Sequence, residues 1–163
     1  ADVTAVRCRT AAGPVPRLWE PLAAKHAPPN GYAAKFSLPY LIAVILVTGR
    51  AGLAEFTDEA VQDPHVLDVA RRVTYELDPA IDYPRQFVGD VEITLAGGRV
   101  VRERRDRPRG GPDDPLTRRD VEAKFRGNAG LALAPERAAG IVQAVDGLAG
   151  DAPLAPLLAA LTP

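Results

Sequence analysis

The residues best placed to do chemistry in this chain are cations. Lys35 stands just ahead of Ser37-Leu38-Pro39-Tyr40, which reads as the opening of a helix. Ser37 is a favoured N-cap type, and Pro39 falls in the first turn, where a missing N–H costs nothing. A cation at a helix N-terminus opposes the helix dipole unless an anion sits between the two. The Lys35 ammonium, the Ser37 hydroxyl and the free amides beside them therefore make a candidate anion site. A solvated surface lysine is the other reading, and the sequence leaves both open.

The run Arg99, Arg102, Arg104, Arg105, Arg107 and Arg109 also has two readings. Charge on an edge strand blunts edge-to-edge aggregation. Alternatively its far end, Arg107 and Arg109 beside Gly110-Gly111, presents guanidinium and backbone N–H groups to a carboxylate. Nucleic-acid binding is a third option, disfavoured because no aromatics are interleaved with the arginines. Lys124 and Arg126 read as surface or salt-bridged helix residues.

Other chemistries find little support. His26 and His65 lie far apart, with no cysteine or carboxylate at ligand spacing, so no metal site is expected. No Ser-His-Asp or Cys-His triad is indicated. Cys8 sits in a predicted strand and reads as inert packing. His65 reads as a surface residue near a helix start. Gly97-Gly98 is a hairpin turn, and Gly110-Gly111 lacks the Lys-Ser/Thr and following helix of a phosphate loop.

The elements that must position these residues follow from local pattern. Val3 to Arg9 predicts a strand. Residues 11–30 hold Gly13-Pro14, Pro16, Pro21 and Pro28-Pro29, an irregular connection with one helical turn around Leu18 to Lys25, of the length usually functional or mobile. Leu38 to Thr48 is apolar nearly all round, predicting a helix buried on every side and ended by Gly49. Thr57 caps a short helix to Gln62. Asp63-Pro64 starts another, to about Arg72. Residues 73–77 alternate as a strand, and Val91, Ile93 and Leu95 form a hairpin through Gly97-Gly98 with Val100 and Val101. Thr117 to Asp120 resembles a capping box opening a helix to about Gly127. Two further helices are expected, about Pro135 to Leu148 and Pro153 to Leu161. The sum is an α+β domain: a mainly antiparallel sheet of about four strands, helices packed on one face, and the buried helix lying across it.

Composition sets the frame. A chain of 163 residues with 47% apolar content supports one domain with a real core, here residues 1–163. A net charge of -1 gives no global attraction to nucleic acid or anionic membrane. A single cysteine favours a reducing compartment, hence a cytoplasmic protein. No run reaches the roughly 18–20 apolar residues a membrane helix needs. The chain starts within a strand, at its second or third residue, with no initiator Met or signal peptide, so a piece of a larger protein is expected.

Four segments in order resemble the C-terminal domain of MmgE/PrpD proteins. They are Ala34-Lys35-Phe36-Ser37-Leu38-Pro39-Tyr40 with its helix, Gly52-Leu53-Ala54-Glu55-Phe56-Thr57-Asp58, Val91-Glu92-Ile93-Thr94-Leu95 with its turn, and Pro115-Leu116-Thr117 leading to Glu122-Ala123-Lys124-Phe125-Arg126. The resemblance spans Val3 to Leu148. It implies a dehydratase, decarboxylase or epimerase that acts on a small polycarboxylate by proton abstraction next to a carboxylate, with no cofactor. It also implies an N-terminal all-helical domain that carries the main acid/base groups and most dimer contacts, this chain being a lid-type C-terminal domain inactive alone. Between Arg9 and Tyr32 the chain departs from the decarboxylases. In some relatives that region supplies a tyrosine to the active site, and Tyr32 is the only tyrosine in the loop. Lys35, Ser37, Tyr32 and Arg109 are thus the substrate-binding candidates, with no catalytic residue assigned. A non-catalytic binding module reusing the fold is the alternative.

Overall fold

The computed structural model describes residues 3–150 and 153–162. A strand start at Asp2 lies outside the described residues. The chain divides into two compact units, 1–115 and 116–163.

The first unit is built on a four-stranded sheet: β1 (Val3–Thr10), β2 (Val73–Leu77), β3 (Gly89–Leu95) and β4 (Val100–Arg105), in the order β2-β1-β3-β4. The β1–β3 and β3–β4 pairs are antiparallel and β1–β2 is parallel, so the sheet is mixed. A parallel pair needs a long crossover. Residues 11–72 supply it as α1 (Val15–Leu18), α2 (Leu22–His26), α3 (Gly31–Ala34), α4 (Leu38–Thr48), two 3₁₀ turns (Leu53–Phe56, Ala60–Gln62) and α5 (Pro64–Ala70). The irregular connection of residues 11–30 thus holds two short helices where one turn was expected, and Trp19 pins it to the sheet, its ring 5.0 Å from that of Tyr75. The helix expected after Thr57 shrinks to a 3₁₀ turn, although Thr57 still caps it through Ala60 N–H at 3.0 Å.

Helix α4 begins and ends where the sequence places it. Ser37 caps it, and Gly49 closes it at φ 77°, a conformation glycine takes without steric cost. Leu38 and Ile42 face the sheet core with Val6, Val73 and Trp19. Tyr40, Ala43 and Val44 pack against Val61, Val66 and Ala70 on the opposite side. The helix is not buried all round, however. Ile45, Leu46 and Val47 are 45%, 37% and 41% exposed, because the unit's own elements cover only its first two turns.

The sheet's other face is charged, and its register arranges the charges alternately. One row runs Glu76, Arg9, Asp90, Arg104, and the next runs Arg7, Glu92, Arg102. Opposite charges directly across strands stabilise a sheet. Asp90, 2% exposed, is the centre. It accepts two hydrogen bonds from Arg102, at 2.9 and 2.7 Å, and one from Arg104 at 3.2 Å. Edge strand β4 carries its arginines as expected, and two of them serve this network.

The second unit contains α6 (Arg118–Ala129), α7 (Pro135–Leu148) and α8 (Ala155–Leu161). The capping box forms with Asp in place of Glu: Thr117 N–H donates to Asp120 at 3.0 Å, and Asp120 N–H to the Thr117 hydroxyl at 3.2 Å. Arg118 bridges Glu122 and Asp146, tying α6 to α7. No described helix is long and apolar enough to cross a membrane.

Candidate functional site

The α3–α4 junction is fixed by backbone bonds that the sequence partly announces. Asn30 caps α3 by accepting the Ala33 N–H at 2.8 Å. Gly31 donates its N–H to Asp58 at 2.8 Å. A Cβ on Gly31 would lie 2.0 Å from the Phe56 carbonyl oxygen, so only glycine lets α3 come this close to the 3₁₀ segment. Tyr40 continues the anchorage below: its hydroxyl donates to the Glu55 carbonyl at 2.9 Å. Glu55 in turn binds the Gly52 N–H at 2.7 Å and Arg50 at 2.7 Å. Those contacts, the Gly52 amide first, hold its carboxyl below the usual carboxylate range.

On this scaffold the candidates take different positions. Ser37 is 1% exposed. Its hydroxyl accepts the Tyr40 N–H at 3.1 Å and donates to the Lys25 carbonyl at 2.5 Å. Its only donor is therefore used inside the protein. Lys35 is exposed, and its ammonium has no hydrogen bond or ion pair with another described residue. Tyr32 is 72% exposed, with its ring edge-on to Phe36 at 5.3 Å. These three gather at the junction.

Arg109 lies elsewhere, on a cleft of about 690 Å³ between the end of β1 and the 106–114 loop. Thr10, Leu38, Tyr83, Phe87 and Arg107 also line it. Leu38, the first residue of α4, is the link between the two regions. Arg107 is ion-paired with Asp113.

Two functional neighbours were not legible in the sequence. Lys25 donates to the carbonyls of Arg17 and Phe36, at 2.6 and 2.7 Å, fastening the chain just before Ser37. The Arg17 guanidinium lies over the Phe36 ring, 4.7 Å from its centroid. No local pattern relates Arg17 to Phe36, 19 residues on; only folding does.

The histidines and the cysteine lie apart from these candidates. His26 Nε2 lies 2.8 Å from the Val73 carbonyl, which it reaches as a donor at the start of β2. His65 is exposed on the first turn of α5. Burial, with Asp90 adding to it, pushes the Cys8 thiol up to about 12, so it stays protonated and unreactive at neutral pH. Among the described residues no three His, Cys, Asp or Glu side chains are grouped so as to hold a metal ion. The exposed ammonium of Lys35, on a backbone junction held by internal bonds, is an arrangement that can bind an anion.

Comparison with known proteins gives a consistent picture. The family model for the MmgE/PrpD C-terminal domain matches residues 1–148. Cis-aconitate decarboxylase of Mus musculus is 28% identical over 124 residues, 74% of this chain and 25% of that protein. Cis-aconitate decarboxylase of Aspergillus terreus is 29% identical over 135 residues, 80% of this chain and 27% of that protein. The chain thus spans about a quarter of the length of the curated relatives it matches.

Proposed function

Because this chain belongs to the MmgE/PrpD family, matching its C-terminal domain, we propose that it is the lid of a lyase or isomerase acting on a small polycarboxylate. One observation carries the reading. Lys35 offers an uncompensated ammonium at the start of α4, on a junction held rigid by the buried bonds of Ser37, Lys25 and Tyr40. Proton abstraction next to a carboxylate builds enolate-like negative charge, which preorganised cations and N–H donors stabilise. Lys35 holds one substrate carboxylate, exposed Tyr32 contributes from the same junction, and Arg109 contributes from the cleft that Leu38 also lines. Ser37 acts from below, fixing the turn that presents Lys35.

The general base and acid belong to an all-helical domain of the same protein, against which this lid closes to exclude water. The exposed apolar turn Ile45, Leu46 and Val47 is a surface suited to that contact. The parent enzyme is a cytoplasmic homodimer that needs no cofactor. The relatives' name makes cis-aconitate the first substrate to try, with decarboxylation the reaction.

The test assays the full-length protein and the isolated chain against cis-aconitate, 2-methylcitrate and iminodisuccinate. Turnover of one of them by the full-length protein, and none by the isolated chain, is expected. Turnover by the isolated chain would place the base in this domain after all. A full-length protein that neither binds nor converts any of the three would favour a non-catalytic module.

A further inference from the structure

Three cationic residues are tied to one aromatic residue at the proposed site, two by contact and one by sequence. Arg17 stacks on the Phe36 ring, Lys25 binds the Phe36 carbonyl, and Lys35 precedes Phe36 in the chain. None of the three has an acid partner among the described residues, whereas the sheet and loop arginines Arg9, Arg50, Arg72, Arg102, Arg104 and Arg107 all do. Glu20 on the same stretch and Asp58 facing Gly31 are committed elsewhere. Glu20 accepts from the Tyr75 hydroxyl at 2.6 Å and from the Leu22 N–H at 2.8 Å. Asp58 accepts the Gly31 N–H at 2.8 Å. In a chain of net charge -1, this is a local surplus of cations that no ion pair among the described residues neutralises.

The three cations are not equivalent. Lys25 spends two of its three N–H donors on carbonyls, so most of its hydrogen-bonding capacity goes to structure. The Arg17 guanidinium lies over the Phe36 ring, 4.7 Å from its centroid, and makes no hydrogen bond or ion pair with another described residue. Stacking leaves the in-plane N–H groups of a guanidinium free, and those are the groups that grip a carboxylate two-pronged. The stack also restricts the side chain before any ligand arrives, which lowers the entropy lost on binding. Lys35, by contrast, is a mobile point charge.

We infer that Arg17 is the specificity-determining residue of this site: its guanidinium holds a second substrate carboxylate while Lys35 holds the first. The inference rests on the polycarboxylate reading above and goes beyond it by assigning the residue that tells a polycarboxylate from a monocarboxylate.

The experiment uses the full-length protein with its preferred substrate among the three named, and two competitive probes: tricarballylate, with three carboxylates, and butyrate, with one. In Arg17→Gln, KM and the tricarballylate inhibition constant rise by about tenfold or more, the worth of a lost charge-assisted pair, while kcat changes far less. Butyrate inhibits wild type and variant alike. Arg17→Lys restores only part of the loss, because lysine supplies the charge without the fork or the stack. Thermal midpoints of both variants stay within about 4 °C of the wild-type value, since Arg17 is exposed and only its contact with Phe36 is lost. A tricarballylate constant within twofold of wild type, or equal losses for tricarballylate and butyrate, overturns the assignment of Arg17 while leaving the function reading intact. Wild-type protein inert towards all three substrates overturns both together.

Discussion

Replacing Ser37 by alanine separates a structural hydroxyl from a substrate-binding one. The hydroxyl makes two bonds in a fully buried position: it accepts the Tyr40 N–H and donates to the Lys25 carbonyl. Loss of the N-cap costs about 1 kcal/mol. Leaving the Lys25 carbonyl without its donor costs about another 1 kcal/mol, the cavity left by one oxygen being small. The sum is about 2 kcal/mol, which for a chain of this size lowers the melting midpoint by about 4–8 °C. Urea unfolding of wild type and Ser37→Ala is the assay, read as a fall in the denaturation midpoint at unchanged slope. A stability loss under about 0.5 kcal/mol would refute the reasoning, since neither bond would then matter. A variant of wild-type stability with a raised KM would show that the hydroxyl faces the substrate instead.

Further tests bear on the scaffold. Asp90→Asn strips three arginines of their shared partner and is expected to cost about 2–3 kcal/mol, less than a fully buried pair because the arginines are partly exposed. The Arg102 hydrogen bonds lead in holding the Asp90 carboxyl below its usual 3.8; burial opposes them, and Arg104 and Arg9 add to them. A depressed carboxyl stabilises the fold above its unfolded pKa, and that contribution is lost as pH falls through the folded value. Urea midpoints measured downward from pH 6 should therefore hold until about pH 4 and then fall, with the gap between wild type and Asp90→Asn narrowing in the acid limb. A constant gap down to pH 2 would contradict the role given to Asp90. Gly31→Ala forces a Cβ against the Phe56 carbonyl and is expected to cost about 1–3 kcal/mol, with Tyr32 and Lys35 displaced. A circular-dichroism melt matching wild type would show that the close approach is not required.

Much of the local structure was legible because it is decided locally. Ser37, Pro39 and Gly49 delimit α4, Gly97-Gly98 turns the hairpin, and Thr117 with Asp120 opens α6. What escaped depends on partners distant in sequence. The parallel pairing of Val6 with Val73 needs the whole crossover, and neither strand's alternation encodes it. Period-two alternation in β4 places Arg102 and Arg104 on one face, but only the register shows that they converge on Asp90. The apolar run of α4 suggested complete burial, and its last turn is exposed because the run exceeds what this unit can cover. At the site, Lys35 could be singled out from its place before a helix. That Ser37 is consumed by Lys25, and that Arg17 stacks on Phe36, follow from the folding of α1 and α2 back onto the start of α4.

The most direct test of the central claim is the kinetics of Lys35→Ala in the full-length protein. The side chain is exposed and bonded to nothing among the described residues, so the variant should fold and melt as wild type does. With the preferred polycarboxylate, kcat/KM should fall more than about tenfold, roughly 1.4 kcal/mol of lost transition-state binding. Unchanged kinetics in a stable Lys35→Ala protein would contradict the account, because the exposed ammonium just ahead of α4 would then have no part in holding the substrate.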